Sequence, residues 1–287
     1  DNKTIWTGTF TPNVNTEVDN NTLRLATTYT DLAGNNGPDN QTDKFEVDTR
    51  APTVSVAINS AATEGRLTYV SGTYGFLNAN DNVSVTATFS EPIFIVDNSS
   101  GNPTLTLAVG SDNRTATYAS GGDNSTAMVF RYTIRSVDND SDGISIGANA
   151  LALNSSTIRD AALNNAILTL IARSHDDDYI VDTTPPTVSS VAITSATNKQ
   201  YDFVNATDVV SVTATFSEMF PSDVIVDNAS GNPTIPMVVG STNRPAAYTS
   251  GSNTNASGSA SLVFKYTIQS GDTDTNGISI DANVLAL

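Results

Sequence analysis

Cysteine is absent, and histidine occurs once, as His175. Disulfide staples, thiolate metal sites and cysteine catalysis are therefore excluded. A histidine-based zinc cluster is excluded as well, and a Ser-His-Asp triad would have to be built on that single imidazole. Positive charge is scarce: 13 Lys and Arg stand against 30 Asp and Glu, a net charge of −17. Such a surface repels nucleic acid and anionic lipid, so neither is an expected partner. No run of about 18 apolar residues occurs, and no membrane insertion of this segment is expected. No signal peptide opens the chain, and residue 1 falls inside a patterned segment, so the chain reads as cut from something longer. Aromatic residues are only 7% of 287. That suits several small cores rather than one large one, and at roughly 100–150 residues each it allows two or three domains.

The acids themselves are lopsided, 25 Asp against 5 Glu, and Asn reaches 30. Asp and Asn are poor helix formers and good turn residues. With abundant Ser and Thr they predict many strands, many turns, little helix and an oxygen-rich surface. Short carboxylates also suit calcium loops, although acidic solubility alone would account for the composition.

The chain repeats itself. Val83-Ser-Val-Thr-Ala-Thr-Phe-Ser-Glu91 recurs as Val210-Ser-Val-Thr-Ala-Thr-Phe-Ser-Glu218, Val129-Phe-Arg-Tyr-Thr-Ile134 as Val263-Phe-Lys-Tyr-Thr-Ile268, and Gly143-Ile-Ser-Ile146 as Gly277-Ile-Ser-Ile280. The offset drifts from 127 to 134, so insertions fall between the matched blocks. A unit of this length is a domain able to hold its own core, not a solenoid turn. Two junctions match, Phe45-Glu-Val-Asp-Thr-Arg-Ala-Pro-Thr53 and Tyr179-Ile-Val-Asp-Thr-Thr-Pro-Pro-Thr187. In each a strand ends, an Asp follows, and proline forces an extended link. Residues 1–49 thus read as the C-terminal part of one domain, 50–183 as a complete repeat, and 184–287 as the N-terminal part of a second copy.

Within each copy the apolar period is two. Val83, Val85, Ala87 and Phe89 alternate with Ser and Thr, as do Met128, Phe130, Tyr132 and Ile134, and Leu262, Phe264, Tyr266 and Ile268. Gly-Asn-Pro and Asn-Asp-Ser-Asp-Gly clusters separate the strands. The expected fold class is all-β, with tandem immunoglobulin-like β-sandwiches of which the first and last are incomplete. The junction Val181-Asp-Thr-Thr-Pro-Pro-Thr-Val188, the strand Ser84-Val-Thr-Ala-Thr-Phe-Ser-Glu91 and the segment Thr157-Ile-Arg-Asp-Ala-Ala-Leu-Asn164 resemble the bacterial immunoglobulin-like repeats of giant secreted adhesins. Those repeats are similar in arrangement to cadherin domains. Tyr29-Thr-Asp-Leu-Ala-Gly-Asn35 carries a related signature, whereas Leu163 stands where the family has Gly. The resemblance implies an extracellular, cell-surface stalk with calcium at its linkers. Its partners would be neighbouring repeats of the same chain, with surface glycans or other cells engaged through a distal module.

Two constellations carry candidate metal chemistry. Asp138-Asn-Asp-Ser-Asp-Gly143 matches the opening of a calcium loop, with Asp138, Asp140 and Asp142 as candidate ligands. The second copy offers Asp272, Asp274 and Asn276 at the same places. Position twelve is Asn149 or Asn283 rather than a bidentate Glu, so these are not EF-hands. The competing reading is a hairpin turn rich in Asp because turns favour Asp. The second constellation is split: Asp48 at the first junction, Asp81 opening a strand and Glu91 ending it, with Asp182, Asp208 and Glu218 as counterparts. Three converging acids repel unless a cation joins them, and an all-oxygen donor set favours calcium. These acids could instead cap turns separately. Asp176–Asp178 beside His175 reads as a solvated charge run or as further ligands near the second junction.

An enzyme is not expected. Paired carboxylates can hydrolyse glycosides, but each acid of these clusters has an oxygen-bearing counterpart in the next copy, and no nucleophile elbow or phosphate-binding Gly loop occurs. The sequence thus predicts a structural extender of a calcium-dependent bacterial adhesin. The alternative is a carbohydrate-binding or accessory module of a secreted polysaccharide-active enzyme.

Overall fold

The computed structural model describes residues 5, 7–62, 76–96, 101–175, 179–217, 224, 226, 231–252 and 261–281. The chain divides into two compact units, Asp1–Thr183 and Thr184–Leu287. Among the described residues every regular element is a strand. The protein is all-β, with sandwich-like sheets of the immunoglobulin type.

Unit 1 opens with β1 (Glu17–Asn21), β2 (Arg24–Leu25), β3 (Asn40–Gln41) and β4 (Phe45–Asp48), paired antiparallel as β1–β4 and β2–β3. The main body follows with β5 (Val54–Ala62), β6 (Phe76–Leu77), β7 (Asn82–Val96), β8 (Thr104–Val109), β9 (Asp112–Gly121) and β10 (Asp123–Thr133). Short strands β11 (Leu151–Ala152), β12 (Thr157–Arg159) and β13 (Ile180–Val181) complete it. The principal sheet runs β11-β8-β9-β10-β7-β12, with β5 also on β7, and β13 lies parallel to β6.

The period of two decides which face is dry. Val83, Val85, Ala87 and Phe89 of β7 are buried, as are Met128, Phe130 and Tyr132 of β10 and Leu105, Leu107 and Val109 of β8. At about 1.5–3 kcal/mol for each large apolar side chain removed from water, this shared cluster dominates the stability of the unit.

β7 is long, and it bends. Ala127 of β10 faces Thr88 while Ser125 faces Ile93, so two steps along β10 span five along β7. Pro92, which has no N–H to give a ladder, lies in this irregularity. Before it, β5 lies beside β7, ending at Val54 opposite Phe89; beyond it β12 takes over, ending at Arg159 opposite Phe94. Glu91 therefore stands in the gap between two strands that approach it from opposite directions.

Unit 2 repeats the plan with β14 (Val188–Ala196), β15 (Val209–Phe216), β16 (Thr234–Val239), β17 (Thr242–Ser252), β18 (Ser261–Thr267) and β19 (Ser279–Ile280), ordered β14-β15-β18-β17-β16-β19. Its core holds Val210, Val212, Ala214 and Phe216 against Leu262, Phe264 and Tyr266.

The turn that feeds the central strand is the same in both units. The Asn80 amide donates to the Ile134 carbonyl at 2.8 Å, and the Thr207 amide to the Ile268 carbonyl at 2.9 Å. Both residues are left-handed, with φ of 75° at Asn80 and 80° at Thr207. Asn tolerates that region, but a β-branched residue does not. Thr207→Asn is expected to stabilise unit 2 by about 1 kcal/mol, read as a higher midpoint in denaturant melts. An unchanged or lower midpoint would contradict the strain.

Candidate metal centre

The Asp-rich loops fold as turns whose carboxylates face inward onto protein donors. In unit 1 the Asp138 Oδ1 accepts from Arg114 Nε at 2.7 Å, while Oδ2 accepts from the Arg135 amide at 2.8 Å and from the Tyr132 hydroxyl. Burial alone would raise the Asp138 carboxyl, but the hydrogen bonds from Tyr132, the Arg135 amide and Arg114 outweigh it and hold it below the usual range. Burial, then the same carboxylate, pushes the Tyr132 hydroxyl up to about 12. Asp140 Oδ2 accepts from the Gly110 amide at 2.7 Å, and Oδ1 from the Gly143 and Asp142 amides at 2.8 and 3.3 Å.

Unit 2 reproduces this wiring, except that Arg244 gives both Nε and Nη2 to the loop carboxylate, whereas Arg114 Nη2 turns to Asp112. Asp272 accepts from Arg244 Nη2 at 2.6 Å, Tyr266 Oη at 2.6 Å and the Gln269 amide at 2.9 Å. Asp274 accepts from the Gly240, Gly277 and Asn276 amides at 2.8, 2.8 and 3.0 Å. The hydrogen bond from the Tyr266 hydroxyl does most to lower the Asp272 carboxyl, and the Gly240 amide does the same for Asp274. Conserving the pattern Arg–Asp–Tyr within each unit ties the loop to the strand before it. This differs from the expected arrangement of three carboxylates lining one site. Asp138 and Asp272 are each paired with a guanidinium, which a cation would have to displace. Asp140 and Asp142 do converge, with His175, on ligand atoms within 4.8 Å of one another. The His175 Nδ1 lies 3.3 Å from Asp142 Oδ2 and 3.1 Å from the Gly143 carbonyl. Asn276 contributes its amide to Asp274.

The split constellation is partly assembled and partly dispersed. Asp81 and Asp208 are buried and hold the turn before the central strand: Oδ2 of each accepts from the amide three residues earlier, Asn78 at 2.8 Å and Asn205 at 2.7 Å. Ten residues of extended strand, about 33 Å, separate Asp81 from Glu91, so Asp81 does not share a site with it. Asp182 is anchored in unit 1 through its amide, which donates to the Leu77 carbonyl at 2.9 Å. Glu218 and residues 176–178 lie outside the described residues.

Asp48 and Glu91 do meet, and the third member is Asp160. Their carboxylate oxygens lie within 4.8 Å of one another, with Asp160 buried and the other two half-buried. The register explains the convergence. Asp48 closes β4 just ahead of β5, Asp160 directly follows β12, and Glu91 sits at the irregularity between those strands on β7. Asn164 fastens the group: its amide and Nδ2 both donate to Asp160 at 2.8 Å, and Nδ2 also reaches the Asp48 carbonyl at 3.2 Å. Asp31 and Asn35 form the same closed turn near the start of the chain. Gly34 takes the left-handed position there with φ of 87°, and Leu163 takes it at Asp160 with φ of 72°. The Asp-x-x-x-Asn spacing of Asp160 and Asn164 is the sequence signal for this third carboxylate, because that closed turn holds it still.

The group fits a hard cation. Oxygens bound to calcium at about 2.3–2.6 Å lie no more than about 5 Å apart, and all three donors are carboxylate oxygens. Burial, followed by the Asp48, Asp160 and Glu17 charges, raises the Glu91 carboxyl against the opposing pull of Arg50. Without a cation the site is thus electrostatically strained.

Residues 1–47 match the family model of the bacterial Ig-like domain. That segment is similar to a bacterial Ig-like repeat. No curated protein matches the chain. Such a repeat is a non-catalytic domain type, and the closed Asp31 turn of the matched segment recurs at Asp160 in the body of unit 1.

Two outcomes follow from this geometry. Asp138→Ala leaves Arg114 and the Tyr132 hydroxyl without their buried partner and is expected to destabilise unit 1 by about 3 kcal/mol. Asp272→Ala should lose less, because the Arg244 side chain remains 36% exposed. Chemical denaturation of both variants checks the ranking. For Glu91 the sign runs the other way. A carboxyl whose folded pKa lies above its unfolded value holds its proton more tightly when folded, so stability falls as pH rises through that value. In metal-free buffer, Glu91→Gln should raise the melting temperature at neutral pH, and the gain should shrink as pH falls toward the unfolded Glu range. Melting curves across pH would show it; a variant less stable than wild type in chelator would refute the repulsion.

Proposed function

We propose that this chain is an extender segment of a bacterial cell-surface adhesin, in which tandem Ig-like repeats hold a distal binding module away from the cell. The observation that carries this reading is the recurrence of one β-fold in two successive units, with the same strand register and the same Arg–Asp–Tyr wiring. The bacterial Ig-like match over residues 1–47 extends the series to the start of the chain. An array of self-contained cores suits a spacer, because each unit bears load without depending on a distant one. A net charge of −17 keeps such an array soluble and discourages it from collapsing on itself.

Calcium belongs to the same proposal. Asp48, Glu91 and Asp160 would hold it, tying the segment before β5 to the body of unit 1. The ion would supply charge neutralisation and a rigid joint rather than chemistry.

Small-angle scattering in calcium and in EDTA tests the reading. The expected result is an extended particle that becomes stiffer in calcium, together with a melting temperature that rises by an amount Glu91→Gln abolishes. A site holding calcium with a Kd of about 10⁻³ M would add about 2.7 kcal/mol at a hundredfold excess. Identical scattering and melting in both buffers would remove calcium from the proposal. A compact particle in both, or specific glycan binding on an array, would remove the extender role itself.

A further inference from the structure

Within unit 1, residues 170–175 run back along the loop that follows β10, and they bring in the single histidine. The Leu170 amide donates to the Ala148 carbonyl at 2.8 Å, and Arg173 exchanges two backbone bonds with Ile146, at 2.8 and 2.9 Å. Two residues further on, the His175 Nδ1 lies 3.1 Å from the Gly143 carbonyl oxygen and 3.3 Å from Asp142 Oδ2. One carboxylate oxygen of Asp140 lies within 4.8 Å of both the Asp142 and the His175 ligand atoms. The loop is fixed independently of the imidazole. Asp140 is buried and exchanges two backbone bonds with Val181, at 2.7 and 2.8 Å, and Gly143 takes a left-handed φ of 92° that closes the turn.

A carbonyl and an ionised carboxylate have only lone pairs to offer. With Nδ1 at hydrogen-bond range of both, a positive centre belongs between them: a proton on Nδ1, or a metal ion in place of that proton. The separations select the ion. Two N or O ligands, each about 2.0–2.2 Å from zinc, lie about 2.8–3.6 Å apart at octahedral or tetrahedral angles. The distances of 3.1 and 3.3 Å fall inside that range. Calcium has longer bonds and takes oxygen, whereas imidazole suits first-row transition ions. Asp140 has capacity left as well. A carboxylate offers about four acceptor positions, and the Gly110, Asp142 and Gly143 amides use three of them. A single imidazole excludes a cluster of histidines; one nitrogen among oxygens is a different donor set.

We propose that Asp140, Asp142, His175 and the Gly143 carbonyl form a binding site for one first-row transition-metal dication, with zinc as the redox-inert member. The site is separate from the group at Asp48, Glu91 and Asp160 and does not rest on the calcium reading. The ion clips residues 173–175 onto the loop at 140–143, over the buried Ile144 and Ile146. A cleft of about 670 Å³, with Asn113, Ser145 and Asn149 in its lining, opens beside the same imidazole. It gives the ion an entry path and leaves room for water as a further ligand.

The test uses the full 287-residue chain, stripped with EDTA and dialysed, then titrated with zinc chloride by calorimetry and by nitrogen-15 NMR. His175 is the one histidine, so its ring signals identify themselves. One equivalent of zinc should bind ahead of the weak sites that an acidic surface offers. The Nδ1 resonance should shift in that same step, and the Ile146 and Arg173 amides should exchange more slowly. His175→Ala and, separately, Asp142→Ala should each weaken this equivalent at least about tenfold, since even outer partners of a metal site are worth about 10–100-fold. Both side chains are more than half exposed, so both variants should keep the fold, which circular dichroism checks. Glu91→Gln should leave the zinc step unchanged. An Nδ1 resonance unmoved at saturating zinc overturns the proposal. So does undiminished binding by Asp142→Ala, which would give the imidazole other partners. Loss of the step in Glu91→Gln would assign the ion to the three-carboxylate group and overturn it too. An equal Nδ1 shift with calcium at the same concentration would overturn the choice of ion and with it the proposal.

Discussion

Burial of one face of the pair β7–β10 is the constraint on which the rest of unit 1 depends, as β15–β18 is for unit 2. Alternation makes that face dry and the opposite face wet, and a slip of one residue would invert both. The pairing is therefore strongly specified, and everything attached to it inherits its register. The turn at Asp81, the loop at Asp138 and the irregularity at Glu91 are all set by where these two strands start, stop and fall out of step.

Aspartate does two different jobs around this frame. At Asp138, Asp140, Asp272 and Asp274 the carboxylate replaces missing backbone partners in a turn, and protein donors take up its oxygens. A turn built this way is held by charge-assisted bonds, which are shorter and stronger than neutral ones. At Asp48, Glu91 and Asp160 the carboxylates face one another and raise the cost of ionising Glu91. In the first arrangement Asp138 and Asp272 are each paired with a guanidinium and a tyrosine hydroxyl. The second is the one whose stability a cation would improve, and it lies where three separate stretches of chain meet.

The two units share one frame. The paired strands, the buried aromatic Phe130 or Phe264, and the Arg–Asp–Tyr wiring are alike in both. In unit 1 the strand β5 and the loop after β10 are further covered by residues 166–175 and 179–181, with Leu170 and Val181 in the same buried cluster as Val54 and Ile58.

The sequence by itself determined the repeat, the all-β class and the identity of the inward side chains, because the period of two is a local property of each strand and needs no partner to be read. Val83, Val85, Ala87, Phe89, Met128, Phe130 and Tyr132 could all be assigned to the core in this way. Only the tertiary structure decided which acids meet. Asp81 and Glu91 share a strand and looked like partners, but a strand holds its ends apart by its own length. Asp160 is 69 residues from Glu91, yet β12 brings it back to the irregularity at Pro92. The Asp138 loop carried a metal-like spacing, and the side chains that fill it, Arg114 and Tyr132, come from neighbouring strands whose approach no local pattern encodes. Spacing along the chain reports what one segment can present; what faces it is set by strand pairing across the sheet.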